Sequence, residues 1–251
     1  MSERKLVNKV AVITGGNSGI GLATARLFNE NGAKVVVIGQ NDRSLQAVEK
    51  ELGGNTLALK ADVAKVEEIA QAMARVQETF GRIDILFANA GISECPPIQE
   101  TDEEFFDHIM GINVKGVFFA FTKALPYLSQ GASVIMTSSV SHKKGRPGDP
   151  LYAASKAAVR SLVRTLALDP EVLARNIRVN AVSPGAIKTP LTSQETPELE
   201  KAINDYIAST VPMKRWGRPE EVAEAVLYLA SAEAAYLTGS EISVDGGLGE
   251  S

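Results

Sequence analysis

Short apolar runs alternate with stretches of helical periodicity along most of this chain, and that alternation restricts its folds more than any single residue does. Residues 10–14, 34–38, 56–60, 83–88, 133–137, 177–182 and 241–244 are short and apolar, and glycine, asparagine, serine or charged residues bound them, so they read as seven strands. Residues 22–29, 44–52 and 66–80, the stretch carrying Phe105, Ile109, Ile112 and Phe119, the stretch opened by Tyr152, and residues 220–230 read as helices. Strands joined through helices run parallel, and right-handed crossovers put the helices on both faces. The expected fold is α/β, a doubly wound parallel sheet with helices on both sides. Ligands of such sheets sit beyond the carboxyl ends of the strands, so the loops there carry the search for function.

At 251 residues, 45% of them hydrophobic, the chain can bury a sizeable core, and no linker, repeat or low-complexity tract divides it. One domain over residues 1–251 is expected. A net charge of −4 with no long run of like charge offers no basic field, so neither nucleic acid nor an anionic membrane surface is an expected partner. No apolar run approaches the roughly 18 residues of a membrane helix. Cys95 is the single cysteine, which excludes an internal disulfide, and the polar start Met1 to Lys9 lacks the apolar core of a signal peptide, so a cytoplasmic location is expected. His108, His142 and Cys95 form no ligand cluster in sequence, and no metal is expected.

The first strand ends in Gly15-Gly16-Asn17-Ser18-Gly19-Ile20-Gly21 before a helix. Such a turn lets backbone N–H groups approach a pyrophosphate at a helix N-terminus, although a tight strand-to-helix connection would use the same residues. The glycines fall as Gly-x-x-x-Gly-x-Gly, not the Gly-x-Gly-x-x-Gly of the common dinucleotide fingerprint. Asp62 and Val63 follow the third strand, and Asn89, Ala90 and Gly91 the fourth, as nucleotide contacts or as ordinary turn residues. Thr101 and Glu104 have capping-box spacing, which assigns them to a helix start. Asn113 interrupts an apolar helix and either satisfies backbone groups or holds a water at a site. Ser138 and Ser139 run off the fifth strand, and strand alternation aims them at opposite faces. His142, Lys143, Lys144 and Arg146 form either a solvated face or a steering patch for an anionic substrate. Tyr152 and Lys156 lie one helical turn apart, where an ammonium favours the phenolate and suits the pair to proton transfer, though an amphipathic surface helix would also carry them. Residues 186–211 are polar and loosely periodic, as in a lid.

Taken in order, Thr14-Gly-x-x-x-Gly19-x-Gly21, Asp62, Asn89-Ala90-Gly91, Asn113, Ser139, Tyr152-x-x-x-Lys156 and Pro184-Gly185 resemble the classical short-chain dehydrogenase/reductases over nearly the whole chain. The resemblance implies a Rossmann-like sheet and reversible hydride transfer between a nicotinamide cofactor and a ketone or secondary alcohol. It implies a cofactor half at about residues 1–130, a catalytic and substrate half at about 131–251 and a substrate lid at about 186–211. Tyr152 would be the general acid, Lys156 would lower its pKa and bind the nicotinamide ribose, Ser139 would orient the carbonyl oxygen, and Asn113 would hold a relay water. Gly15, Asn17, Ser18, Gly19, Ile20 and Gly21 would hold the phosphates, Asp62 and Val63 the adenine end, and Asn89, Ala90 and Gly91 the cofactor's flank. Pro184, Gly185, Ile187 and Thr189 would line the nicotinamide. A homotetramer is implied by the same analogy. The alternative substrate is a 3-oxoacyl thioester on an acyl carrier protein, steered by Lys143, Lys144 or Arg146; a catalytically inactive nucleotide-binding regulator would lack Tyr152 or Lys156, and both are present.

The resemblance puts the carboxylate that NAD-users place on the adenosine ribose at Gly39, where none exists. Asp42 is expected to cap the next helix. The arginine of many NADP-users is absent at Gln40, and Asn17 and Ser18 replace a basic residue in the glycine loop. A neutral pocket remains, with amide donors at Gln40 and Asn41 and a charge at Arg43, which suggests a modest preference for NADP(H) over NAD(H).

Overall fold

A computed structural model describes residues 4–94, 96–145, 148–193 and 196–250; Cys95 and Arg146 lie outside them. Seven strands form one sheet, β1 (Val10–Thr14), β2 (Lys34–Gly39), β3 (Thr56–Lys60), β4 (Ile83–Ala88), β5 (Leu128–Thr137), β6 (Arg178–Pro184) and β7 (Glu241–Val244). Their order is β3-β2-β1-β4-β5-β6-β7, with every neighbouring pair parallel. The doubly wound sheet expected from the periodicity is therefore present. Strand order reverses between β1 and β4, and this switch point opens a crevice beyond their carboxyl ends.

Alternation along the strands builds the two cores. Val10, Val12, Val36, Ile38, Leu86, Ala88, Val134 and Met136 face helices α3 (Val66–Phe80), α5 (Val117–Ala124) and α6 (Pro150–Leu166). Their neighbours Ala11, Ile13, Val35, Val37, Ile85, Phe87 and Ile135 face α1 (Gly19–Glu30), α2 (Asp42–Leu52) and α9 (Pro219–Ala230). Strands covered on both sides need apolar residues at every position, which is why they read as continuous runs. A truncation such as Phe87→Ala, at a fully buried site, would cost about 3–5 kcal/mol.

Several expectations are corrected. β6 runs two residues further than 182, because Ser183 and Pro184 pair with Ser243 and Val244 of β7. The expected helix through Phe105 and Phe119 is interrupted: α4 (Glu103–Met110) and α5 flank a π-helical turn, Gly111–Gly116, with Asn113 inside it. Asp102, not Thr101, caps α4 by accepting from Phe105 N at 2.8 Å, while Thr101 Oγ1 donates to Pro97 O. Asn41 rather than Asp42 caps α2, accepting from Ser44 N at 3.0 Å. Residues 186–211 contain a regular helix, α8 (Pro197–Thr210), capped by Thr196 and anchored by buried Ile207. One buried residue in fourteen leaves little apolar periodicity to read. α7 (Pro170–Ala174) is likewise unannounced.

Candidate active site

The loop after β1 is shaped for close approach. Gly15 has φ +63°, a left-handed backbone that side chains rarely adopt. A Cβ on Gly21 would lie inside contact distance of Gly15 O and 2.8 Å from Asn89 Nδ2, so only glycine lets the helix start pack against the loop. α1 begins at Gly19 without a side-chain cap and with no acidic residue in its first turn. Uncapped N–H groups at a helix N-terminus attract an anion, so these residues fit the phosphates of a dinucleotide. Thr189 closes the opposite lip, its Cβ 3.4 Å from where a Cβ on Gly19 would stand.

Asn89 ties three strands together. Its N–H and that of Ala90 donate to Thr14 Oγ1 at 3.0 and 3.1 Å, its Nδ2 donates to Thr14 O, and its Oδ1 accepts from Thr137 Oγ1 at 3.2 Å. Its side chain is thereby committed to holding β1, β4 and β5 in register at the crevice. Gly91 lies next, and a Cβ there would stand 3.1 Å from both Asn113 Oδ1 and Lys156 Nζ.

Around Lys156 the candidate catalytic residues converge. Lys156 is 3% exposed and donates to Thr137 O at 3.0 Å; burial pushes its pKa down to about 8. Its Nζ stands 5.7 Å from the centre of the Tyr152 ring. Asn113 is fully buried, accepting from Ile92 N at 2.9 Å and donating to Ile92 O and to Ser155 Oγ, each at 3.0 Å; Ser155 in turn donates to Tyr152 O at 2.7 Å. The Asn113 side chain thus satisfies the Ile92 backbone and holds the Ser155 hydroxyl. The two serines also part ways: Ser138 Oγ donates to Lys156 O at 2.9 Å, whereas Ser139 caps a one-turn 3-10 helix, Val140–His142, its Oγ accepting from Ser141 N at 3.2 Å. Ser155 and Thr137, which join these groups, escape sequence reasoning because the partners Asn113, Asn89 and Lys156 lie far from them in the chain.

The other expected contact residues also have partners within the protein. Asp62 Oδ1 accepts from Ala64 N at 2.9 Å as a turn former. Val63 is 6% exposed in the core, where it meets Gly116, and Ile187 is 4% exposed in the other core, its carbonyl accepting from Thr192 Oγ1. Pro184 is buried, and Gly185 passes so close to Asp245 that a Cβ would stand 2.7 Å from its Cα. Lys143 turns to Glu241 and Ser243, His142 to Glu241, and Lys144 donates to Leu248 O at 3.3 Å, which ties this loop to the end of the chain.

Beyond β2 an open cleft of about 450 Å³ is lined by Asn17, Ser18, Asn41, Arg43, Ser44 and Ala47, with Arg43 its one charged residue. Asn17 donates to Ser44 Oγ at 2.7 Å and fills the space over Gly39, where a Cβ would stand 2.7 Å from Asn17 Cγ. Asp42 pairs with Lys60 at 2.6 Å, an exposed contact of little energetic weight that occupies its carboxylate. Helix α8 is fastened at two points. Trp216 Nε1 donates to Asn204 Oδ1 at 2.7 Å, and Lys188 lies 5.0 Å over the Trp216 ring while pairing with Glu200. Among the described residues no helix is long and apolar enough to cross a membrane, and no three His, Cys, Asp or Glu side chains gather to hold a metal.

A family model described as enoyl-(acyl carrier protein) reductase matches residues 15–249. Among relatives in sequence, a 3-oxoacyl-(acyl-carrier-protein) reductase FabG of Thermotoga maritima is 39% identical over 249 residues, covering 97% of this chain and 99% of that protein. A glucose 1-dehydrogenase of Gluconobacter oxydans is 38% identical over 253 residues, covering 97% and 93%. Among solved structures, levodione reductase shares 32% identity with a TM-score of 0.92, covering 98% of this chain and all of that one. The residues of the β1 loop fit a dinucleotide, and the likeness in sequence and fold extends over nearly the whole length. The chain belongs to the short-chain dehydrogenase/reductase family and is a nicotinamide-dependent oxidoreductase.

Proposed function

We propose that this enzyme interconverts a ketone and a secondary alcohol, with Tyr152 as general acid and base. The observation that carries the reading is the buried Lys156 ammonium beside the Tyr152 ring, joined through Thr137, Ser138, Asn113 and Ser155 to the strand ends around the crevice. When bound along Gly15, Asn17, Ser18, Gly19, Ile20 and Gly21, the cofactor supplies or takes up the hydride. In reduction, Tyr152 Oη gives its proton to the carbonyl oxygen while Ser139 Oγ donates a hydrogen bond to that oxygen and orients it. The Lys156 ammonium stabilises the phenolate left on Tyr152, and the same groups act in reverse on an alcohol. Residues 186–211 select and cover the substrate.

The cleft beyond β2 supports a modest NADP(H) preference: it carries one cation and no carboxylate to repel a 2′-phosphate, yet Arg43 is exposed and not a preformed bidentate clamp. Homotetramer formation is supported by one largely apolar groove along α4, the π turn, α5 and α6, lined by Met110, Val114, Phe118, Phe119 and Leu162 together with Asp107 and Lys115, a surface suited to pairing with a second copy. A cytoplasmic enzyme is the setting this reading assumes. A second substrate, a 3-oxoacyl thioester, is favoured by the Thermotoga maritima relative. The engagement of Lys143 by Glu241 and Ser243 weakens the steering patch that reading calls for.

Turnover of cyclohexanone, ethyl acetoacetate and acetoacetyl-coenzyme A with both cofactors separates the two substrates. Tyr152→Phe, folded and cofactor-bound, should lose on the order of 10²–10⁴ in kcat. A variant that kept most of its kcat would refute the assignment of Tyr152, and a thioester preferred over the simple ketones by more than about 100-fold in kcat/KM would replace the first reading with the second.

A further inference from the structure

Glu241 opens β7 in register with Ala181 of β6, at a distance of 99 residues in sequence from His142 and 81 from Arg160. Its side chain is 8% exposed and four groups from three directions converge on it. Ser183 of β6 donates its hydroxyl to Oε1, and His142 Nε2 stands 2.6 Å from the same oxygen. Arg160 of α6 donates from Nε to Oε2 at 3.1 Å, and Lys143 Nζ stands 3.5 Å from Oε2. Arg160 also donates to Gly239 O at 3.0 Å. Since Glu241 can only accept when ionised, His142 Nε2 carries a hydrogen. Burial acts to raise the Glu241 pKa, but the hydrogen bonds from Ser183 and His142, with the charges around it, hold it down at about 2, so the carboxylate is charged throughout the working range.

What the carboxylate connects makes the cluster more than a buried ion pair. His142 ends the one-turn helix that Ser139 begins: His142 N donates to Ser139 O at 3.2 Å and Ser141 N to Ser139 Oγ at 3.2 Å. A three-residue 3-10 turn has almost no stability of its own, so its position is set by what fastens its end. Arg160 lies four residues beyond Lys156 and eight beyond Tyr152, on the same face of α6. We propose that Glu241 is a positioning residue for the reaction: through His142 it fastens the Ser139 turn, and through Arg160 it fastens the Tyr152–Lys156 helix, so that one carboxylate sets the spacing between the two groups that bind the substrate oxygen. This rests on the reading of Ser139 and Tyr152 given above. A buried ion cluster adds little net stability compared with apolar packing, because desolvation offsets the attraction. Its directional bonds do fix geometry, and misplacing reacting groups by about 1 Å costs on the order of 10²-fold in rate.

The test uses full-length Glu241→Gln with ethyl acetoacetate, or the ketone that the wild type reduces fastest. Glutamine keeps the volume and one acceptor oxygen but turns an NH2 group toward a donor. The expected result is a kcat lower by roughly 10- to 100-fold with cofactor KM within about threefold of wild type. The isotope effect with 4-deuterated reduced cofactor should rise, as misaligned proton transfer makes the chemical step limiting. In the apoenzyme, the amides of residues 141–143 should exchange faster. His142→Gln breaks the turn's arm alone and leaves Ser183 and Arg160 on the carboxylate; it should show the same pattern, and the double variant should be no worse than the poorer single one. It carries the test if Glu241→Gln does not fold. A lower Tm with unchanged kcat and isotope effect in these variants would reduce Glu241 to a structural pin and overturn the proposal. Ser139→Ala separates the two levels: full activity there refutes the reading of the site, whereas its loss beside an active Glu241→Gln refutes only the role of Glu241.

Discussion

Replacing Lys156 by methionine measures what it costs to bury an ammonium at the centre of the site. Burial lowers the Lys156 pKa from 10.5 to about 8 in the folded protein, whereas in the unfolded chain the amine stands in water and titrates near its ordinary value. Between those two values the unfolded chain holds the proton and the folded protein has released it, so stability rises with pH across the window. Below about 8 the amine is charged in both states and folding carries the whole penalty; above about 10.5 it is neutral in both and the penalty is gone. From about pH 7 to about pH 10, the wild type should gain about 2.5 kcal/mol that Lys156→Met cannot gain, since every other titrating group is common to the two proteins. In a chain of this size that corresponds to a shift of roughly 5–10 °C in the Tm difference, in favour of the wild type.

The slope is diagnostic where the absolute stability is not. At neutral pH the stability difference mixes the penalty of about 3 kcal/mol with the loss of the bond to Thr137 O and the packing of methionine in its place, whereas its slope with pH reports the titration alone. Denaturation of both proteins at a series of pH values provides the comparison. A stability difference flat to within about 0.5 kcal/mol would show that Lys156 does not titrate near 8 in the folded state and would refute the reasoning. The same titration predicts the activity profile. The ammonium that stabilises the Tyr152 phenolate is present below about 8 and lost above it, so the benefit Lys156 brings to reduction should fade as pH rises through that value, and Lys156→Met should lack it at every pH.

Gly39→Asp should shift the ratio of kcat/KM for NADPH and NADH toward NADH by more than about tenfold, some 1.4 kcal/mol, although the new side chain must first displace Asn17 from Ser44. A wild type that already favours NADH by that margin would overturn the NADP(H) preference. For the lid proposed at residues 186–211, Trp216→Phe keeps a ring beneath Lys188 but deletes the bond to Asn204, worth about 0.5–1.5 kcal/mol, so amides of residues 197–210 should exchange roughly 2- to 10-fold faster in the apoenzyme. Unchanged exchange there would show that the contact fastens nothing.

How much of this was legible in the sequence depended on the range of the interactions. β1 and β4 have the bounds read from apolar runs because burial on both faces leaves a strong local pattern, while the partly buried β3 and β7 were marked by the turn residues that bound them and α3 by its one apolar face. The π turn at Gly111–Gly116 left no such mark, since one extra residue per turn barely changes which residues are apolar. The cap of α4 was displaced by one position because Thr101 and Asp102 are both good caps and only the path of the chain chooses between them. Motif order brought Ser139, Tyr152 and Lys156 into view, but it gave no sign of Glu241, whose partners are spread over three other elements. His142 and Lys143, legible as a basic loop, turned out to be spent on that carboxylate.

The site is held by side chains at the ends of the strands more than by the cores beneath them. Inside the sheet each strand is fixed by packing on both faces, but at the carboxyl ends the buried residues are polar and each must find a partner. Thr14 joins β1 to Asn89, the residue just beyond β4, and Asn89 joins Thr137 of β5. The Thr137 carbonyl accepts from the Lys156 ammonium, and Ser138, the residue after β5, donates to the Lys156 carbonyl, so the end of β5 grips α6 through one residue by two bonds of opposite polarity. Four residues on, Arg160 passes the connection to Glu241 and so to β6 and β7. Neutral bonds thus set the cofactor side of the crevice, where the partners are adjacent strands at fixed spacing. Charged bonds set the side where a helix and a short turn must be held against the sheet, because there no backbone ladder fixes the distance.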